Sequence, residues 1–223
     1  MALETPRDNT VPPLEAILVI TVTFFVSAFI SAAIYLANQI EIAIVVGEAL
    51  FLLVPLIYLL FKRVKIGSYV RTEVKPKFVL LGLGTGALLF LLNIVVSTAL
   101  TNLLGTSEAV EQANRQILTT SGTSYGLIMV AASLFLAGIC EEFALRGFLQ
   151  NALTHRYSFL PAVLISALVF GLFHFDPQGV YIIAAFINGL LLGYIYHRGN
   201  YVSSAIAHSI MNLIVLLALI QGW

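Results

Sequence analysis

Only one cysteine, Cys140, and two aspartates, Asp8 and Asp176, occur in the 223 residues. A lone cysteine excludes an intramolecular disulfide, so helix packing must hold the fold. Neither aspartate falls in a long apolar run, which excludes an aspartyl dyad working inside a membrane. No HExxH sequence is present, so the usual two-histidine zinc helix is missing. No serine stands in the glycine-rich setting that a membrane serine protease needs. Charge is also scarce: 10% of residues are charged and 60% are hydrophobic. A soluble domain carries about 25% charged residues, so this chain has too little polar surface to face water on all sides.

What is present is a series of apolar runs long enough to cross a hydrocarbon core of about 30 Å. They fall near 14–37, 42–61, 78–104, 124–152, 159–175, 179–196 and 202–220. The expected fold is all-α: a polytopic integral membrane helical bundle of about seven transmembrane helices, with a range of six to eight. It forms a single domain over 14–221 behind a flexible tail, 1–13. The first run exceeds a signal-peptide core in length and is expected to be a retained helix. The outer loop 105–123 is expected to hold a short interfacial helix. The net charge of zero hides an asymmetry, because the connector 62–77 carries six of the eleven Lys and Arg residues. Placing that loop, Arg7, Arg156 and Arg198 on one side makes that side cytoplasmic and puts the N-terminus there too. The basic loop is expected to meet anionic lipid rather than nucleic acid, and His155 and His197 to contact headgroups. The expected location is the cell (inner) membrane.

Against this background the stretch "GICEEFALRGF" stands out, with two glutamates and an arginine inside an apolar run. Each such residue near a bilayer centre costs roughly 2.5–3.5 kcal/mol on insertion scales, so it must pair or line a wet cavity. Glu142 and Arg146 are four apart and form a pair on one helix face. Glu141 points about 100° away and has no basic partner on its own helix. Its partners must come from other spans, where the ionisable or amide candidates are His174, His208 and, four residues later, Asn212. Counting residues from the turns puts Glu141 and His174 at one depth. His208 joins them if the hairpin linking 141 to 174 projects further into the cytosol than the last one. Glu48 lies nearer the outer surface, solvated or packed against Asn93. Gly189 and Gly193 form a small-xxx-small pair suited to close helix approach, and Asn188 beside them is a candidate cavity residue. A desolvated carboxylate beside an imidazole activates water, and a second imidazole with a carboxamide suits an oxyanion.

"EEFALR" (Glu141, Glu142, Arg146), "FGLFH" (Phe170, His174) and "HSIMN" (His208, Asn212) resemble the EExxxR, FxxxH and HxxxN motifs of the CPBP family of intramembrane proteases. This family comprises the CAAX-protease and bacteriocin-processing enzymes, formerly called abortive-infection proteins. The resemblance covers about 120–215 and not the first three helices. It implies that Glu141 and His174 activate water, that Glu142 with Arg146 orients the site, and that His208 with Asn212 stabilises the oxyanion. It also implies an active site open to the cytoplasm, and a protein or peptide substrate that in some relatives is prenylated. Family names include "metalloprotease". Two readings stay open: a zinc set of Glu141, His174 and His208 with an open fourth position, or a metal-free site with no cofactor. The rival functions are an ion- or proton-coupled transporter and a non-catalytic immunity or scaffold protein. A transporter would show repeats or charges strung along a path.

Overall fold

The computed structural model describes residues 10–222, and most of them are helical. In chain order the elements are α1 (Pro13–Leu36), α2 (Ile40–Phe61), the short α3 (Ile66–Val70), α4 (Pro76–Leu104), α5 (Glu108–Thr120) and α6 (Ser124–Glu142). A π-helical stretch, Phe143–Gln150, continues α6 into α7 (Asn151–Thr154). Then come α8 (Phe159–Phe173), α9 (Val180–Arg198) and α10 (Tyr201–Ile220). No strand occurs among the described residues. The chain is an all-helical membrane bundle.

Among the described residues six helices are long and apolar enough to cross a membrane: α1, residues 42–61 of α2, α4, the continuous rod Ser124–Thr154, α9 and α10. The seventh apolar helix, α8, has 15 residues and is about 22 Å long, short of a full hydrocarbon thickness. The outer loop does form a helix. α5 begins at Ser107, whose side chain accepts a hydrogen bond from the Val110 amide. The tail expected over 1–13 lies mostly outside the described residues. Of its described part, Val11 is buried in the core and Pro13 already starts α1.

The core gathers where the 31-residue rod Ser124–Thr154 passes between the other helices. Phe143–Gln150 is buried at every position, including Arg146 and Gln150. α8 and α9 pack against this stretch as a close hairpin. A Cβ on Gly189 would lie 3.1 Å from Ala167, and one on Gly193 would lie 3.0 Å from Val163. The two missing side chains therefore let α8 lie directly on α9.

The basic connector is tied to the protein as well as facing outward. Arg71, at the left-handed end of α3, donates to the carbonyls of Tyr196 (3.3 Å) and Gly199 (2.6 Å). Its guanidinium also lies 5.1 Å from the Tyr196 ring. Tyr69 is buried, donates to the Phe148 carbonyl, and has its hydroxyl pushed above its ordinary pKa by that burial. His155 and His197 are exposed, and each packs one side of its ring on an aromatic neighbour, Tyr69 and Phe159.

Candidate active site

The π-helical stretch begins directly after Glu142, and its wider i→i+5 turn still leaves residues four apart on roughly one face. Arg146 Nη1 lies 3.1 Å from Glu142 Oε1, and neither side chain has any exposure. The arginine is held on three sides. Its Nη2 donates to the Gly189 carbonyl at 3.1 Å, and its guanidinium carbon sits 4.7 Å from the centre of the Phe170 ring. One turn further on, Gln150 Nε2 donates to the Gly193 carbonyl at 3.0 Å. Arg146 and Gln150 thus form two rungs onto α9. They use the second lone pair of carbonyls already committed to the helix.

The same carboxylate oxygen of Glu142 faces a second partner. His208 Nδ1, on α10, lies 3.2 Å from Glu142 Oε1. A carboxylate accepts, so Nδ1 carries the hydrogen and donates. The other ring nitrogen then faces Glu141, with Nε2 3.9 Å from Glu141 Oε2. His208 is 3% exposed, so this bridge between the two glutamates is sealed from bulk solvent. Glu141 is partly exposed, and its Oε2 is buried without a hydrogen-bond partner among the described residues.

His174 closes α8. Its Nδ1 lies 2.8 Å from the Phe170 carbonyl, which can only accept, so Nδ1 donates and leaves the Nε2 lone pair free. His174 lies within charge–charge range of both Glu141 and His208. Phe170 joins the parts: its ring packs edge-on against His174 (4.5 Å) and His208 (5.6 Å) as well as beneath Arg146. Residues from the α6 rod, α8 and α10 therefore meet at one place. The rod runs on through α7 to Thr154 before the turn to α8, and His208 on α10 meets Glu141 beside it.

Asn212 lies one turn beyond His208 and donates from Nδ2 to the Leu134 carbonyl at 3.1 Å. This contact pins α10 to α6 and uses one of the two amide hydrogens. Asn188 donates to Asn93 Oδ1 at 2.9 Å. That pairing corrects the expected Glu48–Asn93 contact: Glu48 lies within charge range of Glu141, with its Oε2 buried and without a hydrogen-bond partner among the described residues. Cys140 is buried beside these two glutamates.

Sequence reasoning passed over Asp176 as a loop residue. It is 1% exposed, and its Oδ1 accepts from the Tyr181 and Ile182 amides at the start of α9. Gly179, the residue preceding α9, is in the left-handed region at φ 77° and has no side chain to cap with, so Asp176 reaches forward in its place. The Tyr181 ring then packs edge-on against His174 at 4.8 Å. A DPxG sequence ahead of an apolar run was the available signal.

The donors are not gathered into a zinc set. Nδ1 of His208 and of His174 is held by Glu142 and by the Phe170 carbonyl, which leaves each Nε2 to act, but no group of three His, Cys, Asp or Glu among the described residues is placed to hold a metal.

A protein of Mycoplasma capricolum subsp. capricolum, described only as uncharacterized, is 26% identical over 101 residues. The match covers 44% of this chain but only 29% of that relative. No solved structure matches. Residues 123–214, less than half of the chain, match the family model of type II CAAX prenyl endopeptidase Rce1-like proteins. That span contains Glu141, Glu142, Arg146, His174, His208 and Asn212, so this part of the chain is an Rce1-like region, in accord with the CPBP resemblance.

Proposed function

We propose that the protein is a CAAX-type intramembrane endopeptidase that hydrolyses a peptide bond near the C-terminus of a membrane-associated, prenylated substrate. One observation carries this reading. The residues of three separate motifs are drawn from the α6 rod, α8 and α10 to a single buried point, inside the span that matches a family of such proteases.

The chemistry follows from which atoms are free. Glu141 presents a carboxylate oxygen with no internal hydrogen-bond partner, and His174 presents the Nε2 lone pair. Water between them gives one proton to Glu141 and a hydrogen bond to His174, and its oxygen attacks the scissile carbonyl carbon. The carbonyl oxygen becomes an oxyanion. His208, when protonated on both nitrogens, donates to it from Nε2, and Asn212 donates its remaining amide hydrogen. Glu142 holds the imidazolium from the other side, its own charge balanced by Arg146. Glu141 then returns its proton to the leaving nitrogen as the carbon–nitrogen bond breaks. The motif resemblance and the basic loop together favour an opening toward the cytoplasm.

The test is to incubate reconstituted protein with a farnesylated C-terminal peptide and an unlipidated control, and to map the cut by mass. Release of the residues after the lipidated cysteine supports the reading. A transporter or scaffold leaves both peptides intact.

A further inference from the structure

Glu48 is the charged residue of the site that the motifs do not include. It sits inside α2, within the membrane-crossing stretch 42–61 and outside the matched region 123–214. An isolated carboxylate there costs roughly 2.5–3.5 kcal/mol on insertion scales, so its place needs a partner. Among the described residues no ion pair to Glu48 supplies one. Arg146 is spent on Glu142, and Glu48 Oε2 is buried without a hydrogen-bond partner among the described residues.

The backbone around Glu48 is clamped. Ser27 of α1 donates to the carbonyl of Gly47 at 2.9 Å, and Ser31 donates to that of Ala43 at 3.1 Å. A Cβ on Gly47 would lie 2.6 Å from Ser31 Oγ, so glycine is what lets α1 grip α2 beside Glu48. Phe51, one turn along α2 from Glu48, packs edge-on at 5.7 Å against Phe173, the residue before His174, so this part of α2 abuts the site, and Glu48 lies within charge range of Glu141. Glu48 therefore borders the spot where Glu141 would work.

We propose that Glu48 is the subsite for the amine set free by peptide cleavage, its carboxylate taking the new ammonium group beside Glu141. The inference rests on the protease reading and adds to it. The amide carbon–nitrogen bond breaks as the carbon–oxygen bond to water forms. The proton that Glu141 took from water goes to the leaving nitrogen, and the proton lost by the new carboxylic acid completes the ammonium. This cation is produced within reach of Glu141, where Glu48 is the carboxylate without an internal counter-charge. An ammonium–carboxylate contact in a dry site is a charge-assisted hydrogen bond, stronger than a neutral one.

Binding of trileucine and of N-acetyl-trileucine to the full-length protein in detergent, followed by thermal shift and by competition with peptide cleavage, tests this. The free-amine form should bind at least about tenfold more tightly to wild type. Glu48→Gln should bring the two forms within about twofold in the thermal-shift titration. This variant replaces an unpartnered buried carboxyl group with an amide of the same shape, so folded protein is expected. Equal binding of the two peptides by wild type overturns the proposal, whether or not the variant folds. A preference that survives Glu48→Gln overturns it too. Absence of cleavage by wild type is a separate outcome, which sinks the protease reading and this inference with it.

Discussion

His208 Nδ1 and Arg146 Nη1 share one oxygen of Glu142, at 3.2 Å and 3.1 Å. The glutamate that appears neutralised along its own helix is thus the acceptor that fixes the tautomer of an imidazole on α10. One buried carboxylate serves stability through Arg146 and site geometry through His208.

Removing the arginine leaves Glu142 as a buried charge without its cation. Arg146→Met should lower stability by about 3–5 kcal/mol, read as a fall in the thermal transition of the detergent-solubilised protein. An unchanged transition would show that the pair bears no load.

The two tasks of Glu142 should separate. Glu142→Gln alone should lose both stability and turnover, since it strands Arg146 and weakens the hydrogen bond to His208. Adding Arg146→Gln removes the stranded charge, so the double variant should regain much of the transition temperature. Its kcat should stay about ten- to a hundredfold down, the worth of a charge-assisted hydrogen bond. Recovery of kcat along with stability would contradict the assignment to His208.

Asp176 provides a third test. Asp176→Ala frees two amides at the start of α9 and should cost about 1–2 kcal/mol. Asp176→Asn keeps the accepting oxygen and should cost less. Because Tyr181 packs on His174, the alanine variant should also lower kcat more than it changes KM.

Periodicity and length made the membrane helices legible, and the cost of charge in lipid made Glu141, Glu142 and Arg146 legible. What the sequence hid was contact between spans. Glu48 and Asn93 looked like partners on depth alone, yet Asn93 faces Asn188, because side-chain azimuth depends on how α4 and α9 are rotated. The π-helical turn was hidden as well, since 143–150 reads as an ordinary apolar helix. Arg71 looked like a lipid-facing charge because a basic loop gives no sign of which carbonyls lie beneath it. The apolar runs also gave α8 a full span, although it closes at Phe173, where the His174 amide bonds to Gly171.

Metal dependence can be checked directly. The donors are not gathered into a ligand set, so protein treated with chelator and verified by elemental analysis should still cleave. Activity restored only by added zinc would contradict the Glu141–His174 water mechanism.

The most direct measurement compares wild type with Glu141→Gln in liposomes, using the same farnesylated peptide and confirming equal folding by thermal transition. The account predicts a fall in kcat of about 10²–10⁴-fold, the contribution of general base catalysis, with KM little changed. Wild-type turnover in a folded Glu141→Gln variant would contradict it.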